Sequence, residues 1–217
     1  ATTPPAHADN DKTAMPAPAA QDNPFFAEST LPLKYPAFDK IKDSDFGPAF
    51  VKRMAQKDTI AAVRFRFNAW AKYPDWPQDD QASQRVAGAL GVKTFAPRWN
   101  GRDVVLEGGS IDGNGRGSML TTEECLLDPA VQVRNPGFTR EDYQCVLQEY
   151  LGMTNTIWLG KGIAGDDTHG HVDDLCRFVN PGTVVLCRED NPGDANYAPL
   201  RENAERLQNA RLENGNK

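Results

Sequence analysis

The chain reads as a mixed α/β protein built from small repeated units behind a disordered N-terminal arm. Short alternating apolar runs and amphipathic runs succeed one another in the order strand, helix, strand, strand, helix, strand, strand, helix. Glycine or proline marks most junctions, so no element is long. The first 22 residues hold seven Ala and four Pro with almost no large apolar side chain, too little to offset the entropy of ordering, so residues 1–23 are expected to be disordered.

Each element follows from its residues. Residues 24–50 carry prolines at 24, 32, 36 and 48, which predicts an irregular segment with one helical turn near Phe38–Lys42. "TIAAVRFRFNAW" alternates and is rich in Val and Phe, a strand. "QDDQASQRVAGALG" starts acidic, spaces Val86, Ala89 and Leu90 helically and stops at Gly91. "DVVLEGGSIDGNGRGSMLTTEECLL" is read as a strand at Val104–Leu106, a "DGNG" turn and a strand from Ser118 to Thr121. "TREDYQCVLQEYLG" is a helix capped by Thr139 and closed by Gly152. "TNTIWLGKGI" is a strand running into a loop; "VDDLCRFV" starts a short helix or extended segment; "GTVVLCRE" is a strand; a last helix runs from "YAPLREN" to Gly215.

A net charge of −6 and a pI near 5.1 argue against nucleic-acid and anionic-membrane partners, both of which call for a basic patch. No apolar run is long enough to span a bilayer. Cys125, Cys145, Cys176 and Cys187 show no C-x-x-C spacing and read as thiols buried in whole or in part, although disulfides stay open if the protein is exported.

"GDDTHGHVDDL", residues 165–175, packs four carboxylates and two of the three histidines into eleven positions. If Gly170–Asp173 is extended, His171 and Asp173 share a face and form an acid/base pair; a cluster of loop and helix caps is the alternative. Glu107 ends an apolar strand before two glycines, as a cation-binding acid or as the first exposed residue of a turn. Asp45 precedes Gly47-Pro48, as a site residue or in an ordinary Asx turn. His169 and His171 form an H-x-H pair able to chelate a metal, yet no third histidine lies in the folded region, and neither metal nor cofactor is expected. No G-x-S-x-G elbow is present, and "GNGRG" lacks the lysine of a phosphate loop.

Three stretches, "FNAWAKYPDW", "LEGGSIDGNGRGSMLTTEECLL" and "WLGKGIAGDDTHGHVDDLCRFV", closely resemble the agmatine deiminase and bacterial peptidyl-arginine deiminase family, and "NYAPLRENAERLQNA" is similar to the helix that follows there. The resemblance covers residues 46–217 and implies a partial five-bladed, pentein-like α/β propeller of ββαβ units, with a deiminase domain at 51–217. It implies a hydrolase that converts a guanidino group to a ureido product plus ammonia, with agmatine or an arginine side chain as substrate, in putrescine biosynthesis. On the matching motifs His171 is the acid/base, Asp173 a guanidinium-binding carboxylate and Glu107 the acid of an E-G-G motif. Asp45 falls at the Asp of an R-D-x-G-P motif, although Ser44 replaces the arginine. Trp70 and Asp166 are candidates to line the pocket, with packing or loop capping as their other reading. The family is cytoplasmic, whereas the Ala1 start and the Ala/Pro-rich arm leave export open.

The family's nucleophilic cysteine lies in a late G-G-G-x-x-H-C stretch, and none of the four cysteines has that context. Residues 24–50 instead resemble the start of a thimet-type oligopeptidase, without its H-E-x-x-H, which suggests a join near Phe46–Phe50. The expectation is therefore little or no turnover, and either poor stability or self-association through open strand edges. A guanidine-binding fragment without catalysis, and a metal-dependent hydrolase using His169 and His171, are the alternatives.

Overall fold

The computed structural model describes residues 45–52 and 60–217. The arm, residues 24–44 and the helical turn expected near Phe38–Lys42 lie outside the described residues.

Strands β1 (Ala49–Lys52) and β2 (Ile60–Val63) pair antiparallel. Helix α1 (Ala82–Leu90) crosses over, and β3 (Lys93–Phe95) returns parallel to β2. A two-stranded ribbon follows, β4 (Arg98–Trp99) with β5 (Arg102–Asp103). The first pattern then recurs: β6 (Asp112–Gly113) and β7 (Ser118–Thr122) are antiparallel, α2 (Glu123–Leu127) and α3 (Arg140–Leu151) cross over, and β8 (Asn155–Leu159) lies parallel to β7. A parallel return needs a crossover, and the helices supply it. A third unit begins with antiparallel β9 (Cys176–Asn180) and β10 (Thr183–Leu186), then α4 (Tyr197–Asn209).

The expected mixed α/β architecture is thus present, with ββαβ seen twice. Ring closure is not seen among the described residues, whose sheets hold two or three strands each.

Local chemistry explains most boundaries. Helix α3 starts where the Thr139 hydroxyl accepts from the Asp142 amide while Asp142 accepts from the Thr139 amide, a reciprocal cap. It stops at Gly152, whose φ of 70° favours a residue without a Cβ. Helix α4 ends at Asn209, short of the expected Gly215, because the chain after Ala210 becomes a turn that carries Glu213 to Ser118 and Asn114. The expected strand at 59–70 ends at Val63 in the first sheet. Beyond it, Arg64 N donates to Phe95 O while Arg66 N donates to Val104 O, so the chain changes partner although its alternation continues through Phe67. The Val104–Leu106 run makes one isolated parallel bridge, Arg66 to Val105.

Two apolar clusters fill the interior. One joins Val51, Val63, Val104, Tyr143 and Trp158; the other joins Leu120, Leu159, Val172, Cys176 and Leu200. The loop bearing His171 is anchored in the second, since Val172 and Leu175 belong to it.

Candidate active site

Three chain segments build the site around one glycine. After the Arg66 bridge, Gly108–Ser110 form a single 3-10 turn that places Glu107 behind the backbone and Gly109 in front. Gly109 N donates to Asp45 Oδ1 at 2.8 Å, Gly108 N to Asp45 O at 3.3 Å, and Asp173 N to Gly109 O at 3.2 Å. A methyl group on Gly109 would sit 2.9 Å from both Asp45 Oδ1 and Asp173 Oδ1 and closer still to His171 Nδ1. Only glycine lets these three side chains converge.

Among them, His171 Nδ1 lies 3.8 Å from Asp45 Oδ2 and 3.9 Å from Asp173 Oδ1, while Nε2 lies 3.7 Å from Glu107 Oε2. Burial disfavours the charged imidazole, but Glu107, Asp45 and Asp173 outweigh it and hold the His171 pKa above its usual value. Burial and the neighbouring acids Asp174 and Asp45 raise Asp173, despite the opposing effect of His171. Burial alone would raise Glu107; His171 and Arg134 together bring it below the usual carboxylate range. Asp173 Oδ1 is buried with no hydrogen-bond partner, an acceptor that a bound cationic donor would satisfy.

Gly170–Asp173 is not extended, the condition on which the shared face rested; the segment is a bend and turn before β9. His171 and Asp173 meet through the turn instead of through strand alternation. The two histidines do not share a face either: His169 has φ 65° and places Nε2 2.9 Å from Asp128 Oδ2, whereas His171 faces Glu107. The H-x-H chelate is therefore not formed.

Asp45, the position with the weakest motif match, sits inside the site, and Trp70 Nε1 donates to its Oδ2 at 3.0 Å. Trp70 acts on Asp45 from the middle of a turn in which Ala69, Trp70 and Ala71 all have positive φ, at 49°, 57° and 53°. Such strain persists only where the surroundings enforce it. Asp166 accepts from Thr168 N, Thr168 Oγ1, Gly170 N and His171 N, so its carboxylate orders the loop instead of facing a ligand.

Residues 40–217 match the Porphyromonas-type peptidyl-arginine deiminase family. The chain belongs to that family.

The match begins before Asp45, so Asp45 lies within it, and the peptidase likeness of residues 24–50 finds no support among the relatives. Agmatine deiminase from Stutzerimonas stutzeri is 40% identical over 172 residues, 77% of this chain and 44% of that protein. The structure of agmatine deiminase from Enterococcus faecalis superposes with a TM-score of 0.71 at 34% identity, covering 79% of this chain and 46% of that one. A C. jejuni agmatine deiminase with substrate bound, carrying a Cys-to-Ser change, gives 0.65 at 32% identity, covering 76% and 47%. The chain spans under half the length of these relatives.

Two further residues join this candidate site, Arg134, which the sequence does not single out, and Cys125, which it reads only as a buried thiol. Arg134 is fully buried: Nε donates to Glu107 Oε1 at 3.1 Å, Nη1 to Gln132 O, and Nη2 to Thr168 O on the histidine loop. Next to it, Asn135 bonds both backbone groups of Val105 and the Tyr143 hydroxyl, pinning the strand that leads to Glu107. An arginine in the turn-rich "VQVRNPG" looks solvent-exposed, and nothing local marks it as buried. The other is Cys125, which α2 buries beside Glu107 and His171.

Proposed function

We propose that this chain supplies the guanidinium-binding and acid/base part of a deiminase site acting on agmatine or a related guanidine. The observation that carries the reading is the convergence of Asp45, Asp173 and His171 on Gly109, with one buried Asp173 oxygen left without a donor. A guanidinium is a planar cation with several N–H donors, and two carboxylates can grip it while fixing its carbon for attack. The relatives named agmatine deiminase support this substrate class. Ring closure into a five-bladed propeller belongs to the same reading, supported by the repeated ββαβ units.

In the reaction, a cysteine thiolate adds to the guanidinium carbon and ammonia leaves with a proton from His171. His171 then takes a proton from water, which attacks the same carbon and releases the ureido product and the thiolate. Glu107, itself held by Arg134, stabilises the protonated imidazole. The buried thiols Cys125 and Cys176 do not fit the nucleophile's part. Burial, together with the charge of Glu107, raises Cys125 well above its usual pKa, and burial takes Cys176 to about 12. These residues by themselves are expected to bind agmatine with little or no turnover.

Ammonia release and binding, measured side by side, test this. Agmatine binding that is lost in Asp173→Asn, with ammonia at background, is the expected result. Ammonia above background that disappears in His171→Ala would refute the assignment of the nucleophile; absence of binding by the wild-type chain would refute the site.

A further inference from the structure

Glu107, Cys125 and His171 each offer one donor atom, and those three atoms lie within 4.8 Å of one another. All three residues are buried, at 1%, 2% and 2% exposure, which separates the cluster from the acidic groupings common on protein surfaces. Two of the donors have no hydrogen-bond partner: Glu107 Oε2 and His171 Nε2, facing each other across 3.7 Å. That gap is too long for a hydrogen bond. It is close to the separation of about 3.3–3.5 Å between two ligands of one tetrahedral zinc with bonds of about 2.0–2.1 Å. The second Glu107 oxygen is held by Arg134, which leaves the free oxygen toward the imidazole. Cys125 is fixed from the other side, its amide donating to the Thr122 hydroxyl at the start of α2.

We propose that Glu107, Cys125 and His171 form a latent site for a thiophilic divalent cation, Zn²⁺ by donor type, with a fourth position open to water or a ligand. One thiolate, one imidazole and one carboxylate match the mixed donors of zinc sites with an open position. The thiol is protonated without metal, and a coordinating cation displaces that proton to solvent. The Arg134 charge opposes a second cation and keeps affinity below that of an all-cysteine site, while the Glu107 and thiolate charges offset it. Metal in this position occupies the imidazole nitrogen that faces Glu107 and so blocks His171. Cys125 then has a part that the proposed reaction leaves it without. Metal uptake is read without any substrate, so its failure is distinguishable from failure of the deiminase assignment.

The test is titration of the full chain with Co²⁺ as a spectroscopic probe, followed by displacement with Zn²⁺. The expected result is stoichiometric uptake with a thiolate-to-metal charge-transfer band that is retained in Cys176→Ser and Cys187→Ser and lost in Cys125→Ser. Circular dichroism of metal-free Cys125→Ser and Cys125→Ala establishes that the variants fold, and Zn²⁺ is expected to raise the wild-type Tm but not that of folded Cys125→Ser. Absence of the band in wild type, or a band that survives in Cys125→Ser and disappears in Cys187→Ser, overturns the proposal, the latter as adventitious binding at the exposed thiol. If neither Cys125 variant folds, failure of Glu107→Gln to weaken Co²⁺ uptake overturns it.

Discussion

At the scale of residues, the site is an electrostatic arrangement held by one buried cation. Arg134 contacts Glu107 and, through Thr168, the loop that delivers His171, with its side chain fully removed from solvent. Removing one partner of a buried pair leaves the other charge uncompensated, which typically costs about 3–5 kcal/mol. Arg134→Met is therefore expected to lower the denaturant midpoint accordingly with an unchanged m-value, and a loss under about 1 kcal/mol would contradict the clamp. Asp128 provides the pH-dependent counterpart. The Val131 and Ala130 amides, and after them His169, hold its carboxyl at about 2, against an ordinary value of about 4. A lowered folded pKa contributes stability above the unfolded value and loses it as pH falls through the folded one. The stability difference between wild type and Asp128→Asn is thus expected to be full above about pH 4 and to close toward pH 2; a difference independent of pH over that window would contradict it.

At the scale of elements, sequence patterns succeeded where a signal is local and failed where a partner is remote. The Thr139 cap and Gly152 stop of α3 are written in adjacent residues and appear as expected. Thr139→Ala is expected to cost about 1 kcal/mol, and Gly152→Ala, at positive φ, about 1–2 kcal/mol, both read by thermal or chemical unfolding. The strand that ends at Val63 was overread because burial alternates through Phe67 while the hydrogen-bond partner changes, and alternation reports burial alone. His171 and Asp173 lie within 3.9 Å of each other through a turn and not through strand alternation. The burial of Arg134 and the place of Cys125 beside Glu107 and His171 are not legible locally, because their environment comes from segments about 20–45 residues away. Gly109 belongs to this scale as well, since three segments meet on it. Gly109→Ala is expected to abolish agmatine binding while destabilising by about 1–3 kcal/mol through overpacking, and retention of binding would show that the segments can part.

At the scale of the molecule, two ββαβ units and the start of a third place their loops so that residues 45, 107, 171 and 173 gather at one point. The expectation of a mixed α/β protein and of its family was legible because motif order survives across the chain. A closed ring is not seen among the described residues, and periodicity could not have decided it, because closure depends on strand pairing that periodicity does not encode. The central claim is that this point recognises a guanidinium and not merely a positive charge. Isothermal titration calorimetry of the chain with agmatine and with 1,4-diaminobutane, which keeps a terminal ammonium and lacks the guanidine, tests it most directly. The account predicts measurable heat and saturation with agmatine, none with the diamine, and loss of the agmatine signal in Asp173→Asn; equal binding of both ligands, or none of either, would contradict it.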